Sequence, residues 1–129
     1  MRILLPILDM LGFSASFLCA LHCLFLPLLL TFGASSGITW LEHPLLEWGL
    51  IALAIIFACS SLFSSFRKHK QAGPLWLAFF GFSILFGIHF LEAYVEHYAA
   101  ALGGFLIALA HAWNWRLSHQ HEDSSEVAL

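Results

Sequence analysis

Four apolar stretches, at about 10–32, 45–65, 74–91 and 98–115, dominate this 129-residue chain. Each is expected to cross the roughly 30 Å of a bilayer's hydrocarbon, which takes about 20 helical residues. A backbone in lipid must satisfy its own hydrogen bonds, and a helix does so within one segment. The expected fold is therefore all-α: a polytopic membrane protein, a bundle of four transmembrane helices in residues 1–116, followed by a polar tail at 117–129. Breaks fall at Gly33 to Gly37, at Pro44, and at Gly73 with Pro74, all turn or helix-start residues. Residues 92–97 form the softest boundary. Composition agrees: 60% of residues are apolar and 10% charged, against about 45–50% and about 25% in soluble domains.

The bases orient the bundle. Arg2 precedes the first span, Arg67, Lys68 and Lys70 lie between the second and third, and Arg116 follows the fourth. Four spans put all five on one side, and the positive-inside rule makes that side cytoplasmic, with both termini on it. The opposite rim carries Glu42, His43, Glu47, Glu92, Glu96 and His97, and no base. Trp40 and Trp48 suit the outer interface, and Trp76, Trp113 and Trp115 the inner one. The first apolar run is longer than a signal-peptide core and lacks a small-x-small cleavage site, so it is expected to stay in the membrane. A net charge of −3 argues against nucleic acid as a partner. No phosphate-binding glycine loop is present, so no nucleotide is expected.

Polar residues at membrane depth are costly and mark function. In the first span, Asp9, Gly12, Ser16, Cys19 and Cys23 fall on one helical stripe, with His22 at its edge. Two thiols and an imidazole within about a turn suit a soft or borderline metal ion. Two thiolates neutralise a divalent cation, so the assembly tolerates lipid. The Pro27 ring cannot donate to the Cys23 carbonyl, which leaves that oxygen free beside the thiols. Cysteine is equally a small hydrophobe that packs in cores, and the residues alone leave both readings open. Cys59 reads as packing. His89 in the outer third of its span and His111 slightly inward of mid-span extend the series, with Asp9 and Asn114 near the inner surface. Taken alone, each histidine reads slightly better as an interhelical hydrogen bond, worth roughly 0.6–2 kcal/mol. His43, Glu47, Glu92 and Glu96 are candidate outer ligands or an ordinary solvated rim. The tail adds His119 and His121.

The first-span pattern, Asp9, Gly12, Ser16, Cys19, His22, Cys23 and Pro27, resembles the opening of the MerC family of membrane proteins. So do the basic Arg67–His69 loop and the late stretch with Gly103, Gly104, Ala110, His111, Asn114 and Arg116. The resemblance covers almost the whole chain. It implies a multi-pass protein of the bacterial inner membrane, not an enzyme, that moves mercuric ion or another metal into the cytoplasm, with Cys19 and Cys23 in the place of the family's cysteine pair. Two features depart from the family. The cysteines are four apart with His22 between them, and the tail holds no second cysteine pair. A mixed sulfur, nitrogen and oxygen ligand set favours a borderline ion such as Zn²⁺ over Hg²⁺.

The expectation is thus a metal-ion transporter whose partners are the bilayer and the transported ion. Ion would gather at His43, Glu47, Glu92 and Glu96, pass His89, and bind Cys19, His22 and Cys23 with His111 as a fourth ligand before release near Asp9. A homo-oligomer would thicken the wall of such a path. The alternatives are a haem-binding redox bundle using two of His22, His89 and His111, or an accessory subunit of a membrane complex.

Overall fold

A computed structural model of the protein describes residues 3–32, 40, 43–88 and 93–128. The described residues form four helices and no strand: α1 Leu4–Thr31, α2 Pro44–His69, α3 Gly73–Gly87 and α4 Ala93–Val127. Three of them, α1, α2 and α4, are long and apolar enough to cross a membrane. At 15 residues, α3 is only about 22 Å long. The last residues expected in that span, His89 to Leu91, lie outside the described residues.

The helices alternate in direction. Near the start of α1, Asp9 meets Ser61 late in α2 and Asn114 late in α4, so α1 runs against both. Gly73 at the start of α3 lies under Trp113, and Gly81 lies against Gly103, so α3 also runs against α4. The first turns of α1 and α3 and the late parts of α2 and α4 therefore share one end. That end carries Arg67, Lys68, Lys70 and Arg116, and the opposite end carries Glu47 and Glu96.

Local chemistry explains the boundaries. His43 caps α2, its Nδ1 accepting from the Leu45 N–H at 3.3 Å, and Pro44 occupies the first turn, where a missing N–H costs nothing. Lys70 closes α2 in the left-handed region (φ 56°), its N–H bonding Phe66 O, as helix C-termini favour. α1 continues one turn past Pro27, and the Thr31 hydroxyl donates to the Pro27 carbonyl at 2.7 Å. The polar tail is helical: α4 extends through 117–127. Extending an existing helix avoids the nucleation cost, and the Ser124 and Ser125 hydroxyls bond back to Gln120 and Glu122 carbonyls.

Packing follows membrane rules. Large side chains such as Phe17, Phe25, Ile56, Phe79, Phe80 and Leu102 point outward, while the interior is built from small ones. Lipid offers no hydrophobic drive between helices, so close backbone approach takes over. A Cβ on Gly103 would lie 2.8 Å from the Gly81 carbonyl of α3; one on Gly104 would lie 3.1 Å from Ala20 N and Ser16 O of α1. Adjacent glycines thus serve different neighbours. One apolar cluster gathers Cys19, Cys23, Ile51, Leu85, Ile88, Ala100 and Ile107; a second gathers Ala58, Leu62, Ala78 and Ala110 nearer the basic end.

Candidate metal site and the polar cluster beneath it

The α1 stripe faces the interior along its whole length. Asp9, Gly12, Ser16, Cys19 and Cys23 are all buried, and His22 is half-buried at the edge. Both thiols are free and each is 2% exposed, with Ile51, Leu85, Ile88, Ala100 and Ile107 forming the cluster around them. This is a dry layer, in which neutral thiols cost little and a bare thiolate costs a great deal. On the acidic side, Glu47 and Glu96 are half-buried in the first turns of α2 and α4. His43 is exposed at the head of α2. His89 and Glu92 lie outside the described residues. Cys59, expected as packing, is exposed on the outer face of α2; its position on the helix turns it away from the stripe that meets α1 and α4.

His111 does not join the thiols. Its ring packs over Gly12, where an added Cβ would overlap three ring atoms, and its Nδ1 lies 3.1 Å from Asp9 Oδ1. Gly12 and Cys19 are about 10 Å apart along the helix axis. Among the described residues no three His, Cys, Asp or Glu side chains are gathered as a metal-holding group.

What surrounds Asp9 is a second, polar layer. Its carboxylate accepts from the Ser61 hydroxyl, from His111 Nδ1, and from Asn114 Nδ2 at 3.0 and 2.9 Å to its two oxygens. The Asn114 amide also donates to Ser65 Oγ at 3.0 Å, and its Oδ1 lies 3.1 Å from His69 Nε2. His69 Nδ1 accepts from the Gln71 N–H, so the ring hydrogen sits on Nε2 and donates to Asn114. Every direction is then consistent: donors converge on one carboxylate that is 1% exposed. His69 also lines an open cavity of about 620 Å³ at the basic end, with Lys68, His119, His121, Glu122 and Glu126.

Ser61, Ser65 and His69 were not singled out by sequence reasoning. Their signal was present: positions i, i+4 and i+8 place them on one face of α2. His111 and Asn114, three apart, form the matching face of α4.

Gly12 makes the His111 position testable. Gly12→Ala is expected to cost about 1–3 kcal/mol as an overpacked contact, and His111→Ala in the same chain should recover much of it. Detergent-solubilised thermal unfolding of the four-member cycle checks this; additive effects would separate Gly12 from the ring.

No curated protein and no solved structure gives a significant match to the chain. The sequence profile of the family described as MerC mercury resistance protein matches residues 9–116. That match begins on Asp9, includes the cysteines, Asn114 and every described residue of α2 and α3, and ends on Arg116. The chain belongs to the MerC family.

Proposed function

We propose that this protein carries a thiophilic or borderline divalent metal ion across the bacterial inner membrane, with Cys19, His22 and Cys23 as its central binding residues. Family membership supports metal transport in general. The observation that carries the central site is the pair of free thiols buried on one stripe of α1. Bound as two thiolates, they cancel a divalent charge in a layer that would not hold the bare ion. His22, at the stripe edge, supplies nitrogen and broadens selectivity from mercuric ion towards Zn²⁺.

Direction follows from the two ends. With α3 counted as a fourth span, all described bases face the cytoplasm, and both termini with them. Glu47 and Glu96 then attract cations on the outer side, with Glu92, His89 and His43 as further contacts. Asp9 and His111 stand outside the ligand set of this reading, because each is committed to the other.

The test is titration of purified protein with Zn²⁺ and with Hg²⁺. Tight binding is expected in the native chain. A Cys19→Ala, Cys23→Ala double variant should lose at least about 100-fold in affinity, while keeping its helical circular dichroism. Equal affinity in both proteins would remove the central site.

A further inference from the structure

Where α4 runs on past the end of α2, it closes one side of the open cavity of about 620 Å³ at the basic end. His69 lines this space with both ring nitrogens already engaged, by Asn114 and by Gln71. Lys68 of α2 and Glu122 and Glu126 of α4 face the same space, and among the described residues none of the three makes an ion pair. The Ser118 hydroxyl, also in the wall, has no hydrogen-bond partner among the described residues. Ile3, Leu5 and Pro6 bring in the first turn of α1, the positive end of its helix dipole. A second space adjoins on the bilayer side: a groove of about 390 Å³ between α1 and α4, walled mainly by Ile7, Met10, Phe13, Ala112 and Trp115. Pro6 lines both spaces, and Trp115 of the groove packs on His119 of the cavity, ring centroids 4.5 Å apart. From Pro6 to Phe13 the groove follows α1 for about 10 Å. Charged walls thus give way to apolar ones in the order in which a lipid passes from headgroup to chain.

We propose that cavity and groove together hold one phospholipid of the leaflet at the basic end, with a headgroup that carries both a phosphate and a primary ammonium. The phosphate meets Lys68, the Ser118 hydroxyl and the start of α1. The ammonium meets Glu122 and Glu126, and one acyl chain lies along Ile7, Met10 and Phe13. Charge selects this headgroup. An anionic lipid without an ammonium would set its negative charge against two carboxylates and a single lysine. A quaternary ammonium has no N–H to donate to a carboxylate. Aromatic cages favour such a group, and the described lining of the cavity holds no Phe, Tyr or Trp. A bare metal ion suits the space poorly, because Lys68 repels it and no metal-holding group of His, Cys, Asp or Glu is gathered among the described residues. Basic pockets between membrane helices take lipid headgroups, and the two added carboxylates narrow the choice here. The site is independent of which ion the protein carries.

The experiment is native mass spectrometry of the full chain released from micelles. The micelles hold equal amounts of phosphatidylethanolamine, phosphatidylcholine and phosphatidylglycerol with identical chains. The native protein should retain phosphatidylethanolamine at least about fivefold over the other two, the worth of one charge-assisted contact. Lys68→Gln should weaken retention of all three by about fivefold. A Glu122→Gln, Glu126→Gln double variant should lose the preference and keep the phosphate contact, so that the three lipids are held about equally. All three positions are exposed, so the variants should unfold at the native temperature. Glycerophosphoethanolamine, the same headgroup without chains, should fail to displace the lipid at about 100-fold excess, since buried methylenes carry much of the affinity. Equal retention of the three lipids by the native protein overturns the proposal, and so does a preference that survives in the double variant. Displacement by the chain-free headgroup also overturns it, leaving a site for a soluble zwitterion in place of a lipid site.

Discussion

Asp9→Ala is expected to lower the stability of the bundle by about 2–5 kcal/mol, the cost of leaving buried hydrogen-bond donors without their acceptor. Three donors lose their acceptor, and they do not lose it equally. The Ser61 hydroxyl can turn to the carbonyl four residues back, as Ser60 and Ser64 already do, so its loss is small. His111 Nδ1 has no such option, because the ring is buried and held over Gly12, and the Asn114 amide keeps only its bond to Ser65. Each unsatisfied group costs about 1–3 kcal/mol. Asp9→Asn should cost less. It keeps an oxygen for His111 and Ser61 but turns an amide N–H₂ towards that of Asn114. The order Ala worse than Asn worse than native, read from denaturant unfolding in micelles, checks the cluster. An Asp9→Ala protein within about 0.5 kcal/mol of native would mean that water reaches the carboxylate.

The second large effect is expected at the glycine pair. Gly103→Val would push a branched side chain against the Gly81 carbonyl, 2.8 Å from the Cβ position. Neither backbone can yield without α3 and α4 separating, so the cost should reach or exceed about 3 kcal/mol, the upper end of overpacking. Gly104→Val meets backbone atoms of α1 at 3.1 Å and should behave similarly. The two glycines touch different helices, so their alanine variants should be close to additive. Among the described residues no atom lies within 4 Å of the Cβ position of Gly49. Gly49→Ala should therefore be neutral or gain up to about 1 kcal/mol from helix propensity. A Gly103→Val protein with native stability would rule out close packing of α3 on α4.

Much of the fold was legible because lipid imposes length and composition on each span. Pro44, the Gly73–Pro74 pair and the basic residues located the breaks and grouped the charges at one end. The helical form of the polar tail was not legible, because polarity without periodicity does not distinguish a loop from a helix extended off a stable one, as at 117–127. The α1 stripe was legible as a 100° pattern, and its five members are buried. The partners of that stripe were not, since they depend on which helices meet. His111 could be placed on an inner face from its position, but not whether it faced thiols or a carboxylate. Ser61, Ser65 and His69 were hidden for another reason: serine is unremarkable in a membrane helix until a carboxylate is found opposite.

Among the described residues α1 and α3 make no backbone contact, and α2 meets every other helix but packs chiefly on α1, whereas α4 lies broadly against both α1 and α3 and also meets α2. In α4 the two glycines, Ile107, Ala110, His111 and Asn114 therefore answer to several neighbours at once. In a saturation-mutagenesis survey, intolerance should wrap most of the circumference of α4 between Ala100 and Asn114, yet occupy a single narrow line on α1. The helix without a cysteine would then show the heavier constraint of the two.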